Sequence, residues 1–479
     1  MKLTNEQLQQ IAQQVAANLS GTSAAKPDSS RQALPAKSQP PLFSSVDDAV
    51  AAAHKAYQQL NALPLATRDA MIAEIRKDMM AQAESLAREA HAETGLGRID
   101  SKIVKNQLVT MKTPGTEDLT SRSWSGDNGL TLIERAPYGV IGAITPTTNP
   151  TSTIICNSIG MIAAGNSVVF NVHPNSKDVC ARTIRLLDQA IVRVGGPANL
   201  VTGIAEPTIE SAQTLMRHKG VRLLVVTGGP GVVKEAMNSG KRAICAGPGN
   251  PPVVVDETAD IAKAAKDIVF GASLDNNIIC TDEKEVFIVD SVADHFLQAM
   301  QANRAYVLSP DQIKQIEKVI FTEHRGPRKP AKMNKKFIGK NADVILAEIG
   351  VNVDENVRLA VAPVDVDHPL VWTEQMMPVL PVARVRSADE GIDLSVKAEH
   401  GFRHTASMHS KNIERLSRMA RIMDCSIFVK NGPNAAGLGY GGEGYCSFSI
   451  ASPTGDGLTR PFSFTRERRC TLVDYFRIV

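Results

Sequence analysis

The sequence predicts an α/β protein organised on a parallel sheet, and three observations carry that expectation. Short apolar runs of strand length recur along the chain: VIGAIT from Val140, VVFNV from Val168, LLVVT from Leu223 and PVVVD from Pro252, each bounded by Gly, Pro or Asn. Helical stretches lie between them, at 179–194 and 209–218. Strand and helix in alternation form βαβ units, whose strands pair in parallel. Finally, the 479 residues are 43% hydrophobic and 22% charged, enough for two or three soluble domains at roughly 100–200 residues each.

Taken in order, residues 1–19 place Leu8, Ile11, Val15 and Leu19 at steps of three and four, one stripe of a helix, with Thr4 and Gln7 spaced as a capping box. No basic segment leads into an apolar one, so this is not read as a secretory signal. Residues 20–42 are rich in Ser, Ala and Pro and read as a flexible linker. A single amphipathic helix on a tether cannot bury its own stripe; it docks on the parent domain or on a partner. Ser45 is placed to cap a helix carrying Val46, Val50, Ala53 and Tyr57. Thr67 is placed to cap a longer one through Met71, Ile75, Met79 and Leu86, ending near Gly95. A further helix over 261–270 and a strand over 285–289 flank a polar loop. No repeat of solenoid period is present.

Several functions are excluded or weakened by composition. Lys and Arg number 53 against 50 Asp and Glu, a formal charge of +3, which argues against a dedicated nucleic-acid binder. The most apolar region, 154–170, carries Asn157, Ser158, Asn166 and Ser167, so no membrane span is expected. Seven cysteines contain no C-x-x-C pair, which removes zinc-ribbon and thioredoxin motifs. No metal site is expected, and a reducing cytosol is the simplest compartment.

Glycine-rich strings separate by context. GLGYGG at 437–442 matches a dinucleotide fingerprint as a string, but it does not leave a strand to open a helix and reads as a loop. Thr227-Gly228-Gly229-Pro230-Gly231 stands at a strand-to-helix turn, where free N–H groups can receive a pyrophosphate. The basic run 324–340 reads first as a solvated face, with an anion contact as the alternative. Cys280, among Asp275, Asn276 and Asn277, is the cysteine with the clearest loop setting, the setting a reactive thiol needs.

Seven motifs in order resemble the aldehyde dehydrogenase superfamily, and within it the CoA-acylating branch. They are TPTTNP (145–150), VVFNVHPNS (168–176), VVTGGPGVV (225–233), CAGPGNPPVVVD (245–256), NNIIC (276–280), TEQMMPVLPV (373–382) and RHTASMHS (403–410). The resemblance covers about residues 43–479 and implies a Rossmann-like cofactor domain, an α/β catalytic domain and a small oligomerisation arm. The implied boundaries are 43–117 with 136–248 for the cofactor domain, 249–446 for the catalytic domain, and 118–135 with 447–479 for the arm. It implies Cys280 as the nucleophile that becomes a thioester, Asn149 as an oxyanion donor, and Thr147, His173, Thr227, Gly228, Gly229 and Glu374 on the cofactor. Hydrolytic members carry a Glu-Leu-Gly-Gly motif whose glutamate activates water; here the aligned stretch is Ala246-Gly247-Pro248-Gly249. The missing acid favours attack by a thiol such as CoA, a better nucleophile than water.

The expected reaction joins a short-chain aldehyde, acetaldehyde or propionaldehyde, with CoA and NAD, NADP being the alternative. A hydrolytic dehydrogenase and a non-catalytic scaffold are the rival readings. The resemblance further implies a homodimer or homotetramer. It likens residues 1–19 to the encapsulation peptides of bacterial microcompartment enzymes, which bind shell or cargo proteins. His404 and His409 lie in one motif without an assigned role.

Overall fold

The computed structural model describes residues 39–479. The helix expected over 1–19 and most of the linker over 20–42 lie outside the described residues. Among the described residues, the first sheet has six strands in the order Leu42–Phe43, Val201–Ile204, Ser167–Asn171, Val140–Ile144, Val221–Thr227, Arg242–Ala246. Every neighbouring pair is parallel. Chain order reverses at Val140–Ile144: the next two long strands build outward on one side, and the following two build on the other. A crevice opens at the carboxyl ends of the strands where such a reversal occurs.

Period two decides how this sheet is covered, because successive strand residues face opposite layers. Ile141, Ala143, Val168, Phe170, Leu223 and Val225 pack with the helices Leu65–Thr94, Pro150–Ala163 and Lys177–Arg193. Val140, Ile144, Val169, Leu224 and Val226 pack on the other face with Val46–Asn61 and Ile209–Arg217. Both faces are buried, as parallel sheets require.

A second sheet has seven strands in the order Ala305–Val307, Leu359–Val364, Val379–Val385, Glu285–Val289, Pro252–Val255, Thr405–His409, Ile427–Lys430. It too is parallel throughout. Val253, Val255, Val286 and Ile288 meet the helices Ile261–Ser273 and Asp290–Ala302. Val254, Phe287 and Ala383 meet Ala388–Ala398 and Ile413–Met423. Apart from these layers, Arg122–Gly126, Gly129–Pro137 and Thr465–Val473 form an antiparallel three-stranded sheet.

Local signals resolve unevenly. Ser45 caps its helix, its hydroxyl accepting from the Asp48 N–H. Gly95 ends the following helix at φ 65°, the left-handed value that glycine tolerates best. Thr67 is not the cap of that helix. It begins at Leu65 behind Pro64, whose extended backbone (ψ 154°) sets the start without a side-chain bond. GLGYGG begins in the short 3-10 helix Asn434–Leu438 and is otherwise irregular, with no strand directly before it and no helix opening after it as a dinucleotide fingerprint would need. No described helix is long and apolar enough to cross a membrane.

Candidate active site

Four adjacent strands of the second sheet converge on one point. The segments that enter Val379–Val385, Glu285–Val289, Pro252–Val255 and Thr405–His409 carry Glu374, Cys280, Gly249 and His404 respectively. Gly249 sits where these segments meet. Its N–H donates to Glu374 Oε1 at 3.4 Å. A Cβ at this position would lie 2.6 Å from the Cys280 carbonyl oxygen and 3.0 Å from His404 Cγ. Only a residue without a side chain lets the Cys280 turn and the imidazole approach this closely.

Cys280 follows a turn of three consecutive left-handed residues, Asp275 (φ 46°), Asn276 (φ 57°) and Asn277 (φ 65°). Left-handed backbone costs an L-residue roughly 1–2 kcal/mol, and Asn and Asp are the side chains that tolerate it best. All three are buried, and each is pinned. Asp275 pairs with Lys102 at 3.0 Å and with Lys105, and accepts the Arg98 N–H at 2.7 Å. Asn276 donates to the Gly339 carbonyl (2.9 Å) and to Asn341 Oδ1 (2.7 Å). Asn277 donates to the carbonyls of Ala272 and Glu283, both at 2.9 Å. Lys284 Nζ donates to Asn277 Oδ1 (2.7 Å) and to the carbonyls of Asn277 (2.6 Å) and Ile279 (3.2 Å).

The charges around the thiol follow from burial. Cys280 is half-buried. Burial pushes its pKa up to about 12, the Glu374 carboxylate adding to the shift and Lys284 opposing it. Glu374 is itself raised by burial, against Lys284. Burial, with Lys284, lowers the His404 imidazole to about 3, so it is neutral at physiological pH. Its Nδ1 bonds the Thr405 hydroxyl at 2.9 Å, while Nε2 is buried without a protein partner. The resting site therefore holds a protonated thiol beside a neutral imidazole with an unused nitrogen.

The remaining expected residues line the reversal crevice of the first sheet. Asn149 ends the loop after Val140–Ile144 and precedes Pro150–Ala163 as its cap residue. Its Oδ1 accepts from Lys105 Nζ at 2.7 Å and its Nδ2 donates to the Thr148 hydroxyl at 3.2 Å. Lys105 thus links Asn149 to the Cys280 turn through Asp275. Thr147 has a buried hydroxyl without a protein partner, as does Thr145. Thr227 bonds Ser449 through their hydroxyls at 3.4 Å, and Gly229 caps Pro230–Met237. The free N–H groups expected at this turn are fewer than the string implied. Gly228 donates to the Ala246 carbonyl at 3.2 Å, and Pro230 has no N–H to offer. A Cβ at Gly229 or Gly231 meets nothing within 4 Å. His173 stands exposed beyond Ser167–Asn171, its Nδ1 accepting the Asn175 N–H at 3.1 Å. Unpartnered threonine hydroxyls beside an open glycine turn, at a reversal crevice, fit a dinucleotide.

Several contributors escaped the sequence reading. Lys102 and Lys105 lie on a polar-looking helix, Ile99–Lys112, yet both are buried. Gly249 carried no signal beyond its motif. The run Asp282–Glu285, four charged residues in succession, is wholly buried behind Cys280, whereas such runs ordinarily face solvent. In the basic segment 324–340, Arg325 pairs with Glu323, Arg328 with Asp367 and Lys336 with Glu348. No cluster of metal-binding side chains occurs among the described residues.

A thiol held protonated predicts its own titration. Iodoacetamide alkylation of Cys280, followed by the mass of its peptide, is expected to accelerate about tenfold per pH unit across neutrality, because only the thiolate reacts. A rate independent of pH over that range would mean that the thiolate already prevails.

Comparison with known proteins agrees with this geometry. Residues 43–449 match the model of the aldehyde dehydrogenase family. The acetylating acetaldehyde dehydrogenase EutE of Salmonella typhimurium is 50% identical over 439 residues, spanning 91% of this chain and 93% of that protein. The structure of Rhodopseudomonas palustris propionaldehyde dehydrogenase, with bound CoA and an acylated cysteine, aligns with a TM-score of 0.88 at 47% identity, over 91% of this chain and 98% of that one. A propionaldehyde dehydrogenase from the fucose utilisation microcompartment of Clostridium phytofermentans aligns with a TM-score of 0.88 at 44% identity, over 92% and 100%. Two parallel sheets in this arrangement, and a family match that runs through both, establish that the chain belongs to the aldehyde dehydrogenase family.

Proposed function

We propose that this protein is a CoA-acylating aldehyde dehydrogenase, which converts a short-chain aldehyde, CoA and an oxidised nicotinamide dinucleotide to acyl-CoA and the reduced dinucleotide. One observation carries the reading. The segment 246–249, which packs directly on Cys280 through Gly249, contains no carboxylate; the neutral imidazole of His404 packs on the same glycine, and the nearby Glu374 carboxylate is engaged by the Gly249 N–H. An aldehyde carbonyl at Cys280 is attacked by the sulfur as the thiol gives up its proton, which is released through His404 Nε2 to solvent, and the charge that develops on the carbonyl oxygen is received by Asn149 Nδ2 and the Cys280 N–H. One such donor contributes about 2.7–4 kcal/mol in comparable enzymes. The dinucleotide, when bound in the crevice lined by Thr147, Thr227 and Gly229, supplies the hydride acceptor. Cys280 then carries the acyl group as a thioester. The CoA thiol attacks this carbonyl and the Cys280 sulfur leaves. His404, with its unused Nε2, hydrogen-bonds the CoA thiol, whose proton passes to the departing Cys280 sulfur and restores the resting thiol.

NAD is the dinucleotide proposed. A 2′-phosphate calls for an unengaged cation; near the rim formed by His173, Lys177 is paired with Glu206 at 2.5 Å. Acetaldehyde and propionaldehyde are the proposed substrates, the aldehydes named for the acylating relatives. A second copy of the chain is the proposed occupant of the arm, where Trp124, Leu472, Val473, Tyr475 and Phe476 are exposed. Residues 1–19 are proposed to direct the enzyme to a microcompartment, the setting of the Clostridium phytofermentans relative.

Three outcomes follow. With aldehyde and NAD but no CoA, a single burst of NADH is expected, leaving an acyl adduct on the Cys280 peptide by mass; sustained turnover to free acid would establish the hydrolytic reaction instead. Gly249→Ala is expected to lower kcat by about 10–100-fold, since displacements near 1 Å at a reacting centre have that effect, while circular dichroism stays native. Deletion of residues 1–19 is expected to leave the purified enzyme active and to abolish co-sedimentation with shells; retained co-sedimentation removes the targeting role.

A further inference from the structure

Lys105 is buried on Ile99–Lys112 and its Nζ meets three acceptors: Asn149 Oδ1 at 2.7 Å, the Thr148 carbonyl at 3.4 Å, and the Asp275 carboxylate. A carboxamide is nearly symmetric in shape, and rotating it by half a turn exchanges its oxygen for its NH2. At the reacting carbonyl the two ends act oppositely: N–H stabilises a developing oxyanion, and C=O repels it. An ammonium group has donors and no acceptor. The end of Asn149 that faces Lys105 must therefore be the oxygen, and the NH2 is turned away. One of its hydrogens goes to the Thr148 hydroxyl, and the other is left for a ligand. The ammonium form persists at neutral pH, since burial lowers Lys105 only to about 8, with Asp275 supporting the charge and Lys102 opposing it.

We propose that Lys105 is a positioning residue that selects the N–H face of Asn149 for the oxyanion and, through Asp275, ties that donor to the turn bearing Cys280. The geometry behind this is a single buried nitrogen in contact with both the amide oxygen and the carboxylate of the left-handed turn. The inference rests on the assignment of Asn149 as an oxyanion donor, so its test must separate the two.

The measurement is the pre-steady-state burst of NADH with aldehyde and NAD, in the full-length enzyme without CoA. Asn149→Ala alone reports on the donor assignment and is expected to slow the burst about 10²–10³-fold. Lys105→Met is expected to slow it at least about tenfold with KM for NAD nearly unchanged, and Lys105→Arg, which keeps a donor-only cation, to restore much of the rate. In the Asn149→Ala background the Lys105→Met change is expected to add less than about threefold, because residues acting through one another are not additive. A full additional loss in that background, or an unchanged burst in Lys105→Met, overturns the proposal. An unchanged burst in Asn149→Ala overturns the donor assignment itself, and the proposal with it. Should Lys105→Met lose its cooperative melt, Lys105→Gln enters the same cycle, and the same two outcomes decide.

Discussion

Beneath Cys280, one carboxylate and two ammonium groups are buried together, and the geometry of the site depends on them. Asp275 meets Lys102 and Lys105 with all three side chains removed from water. Taking such ions out of solvent costs several kcal/mol apiece, recovered only where their geometry and hydrogen bonds are complete. Burial alone pushes the Asp275 carboxyl up, yet the two lysines outweigh it and hold the group below its ordinary value. The carboxylate is thus charged, and its bond to the Arg98 N–H closes the cluster. What the arrangement secures is position. Asp275 stands first in a left-handed turn that most side chains resist, and Lys105 reaches from it to Asn149 in the other sheet's loop.

The two parallel sheets contribute opposite edges to this site. From the first come the carboxyl ends of strands around the reversal at Val140–Ile144, with Asn149, Thr147 and the Thr227–Gly229 turn. From the second come the amino ends of four adjacent strands, with Cys280, Glu374, Gly249 and His404. Binding at strand termini leaves both hydrophobic layers intact, so the reactive groups can be crowded without loosening either core. The crowding has narrow tolerances, at Gly249, where a methyl group would meet both the Cys280 carbonyl and the His404 ring, and at Gly97, where one would meet the Asp275 carboxylate.

Electrostatically, the resting site is quiet at the reacting atoms and charged behind them. The thiol and the imidazole are both kept neutral by burial. Lys284, bonded to the turn rather than to either group, opposes the rise of the Cys280 pKa and adds to the fall of His404. A neutral imidazole is able to accept a proton, and a half-buried thioester is shielded from bulk water. Together these favour transfer to a second thiol over hydrolysis.

Much of the fold was legible in the residues because its signals are local. Apolar runs at 140, 168, 223 and 252 became strands, Ser45 and Gly95 bounded helices, and the loop setting of Cys280 was visible in its Asp and Asn neighbours. Thr67 misled because Pro64, immediately before the first helical residue, had already set its start. The proposed nucleophile and the proposed dinucleotide turn were likewise expected from short motifs, whose chemistry needs particular residue types at fixed spacing. Lys102, Lys105 and the run Asp282–Glu285 carried no such mark: a charged side chain has the same letter in solvent and in a core. Sequence alone determined which segments form strands, which cysteine lies in a loop, and that no acid stands at 246–249. Tertiary structure alone decided that Lys105 lies between Asp275 and Asn149, that Gly249 is the point of contact, and that His404 keeps a free nitrogen. Those facts depend on the approach of segments tens to hundreds of residues apart, which no local preference encodes.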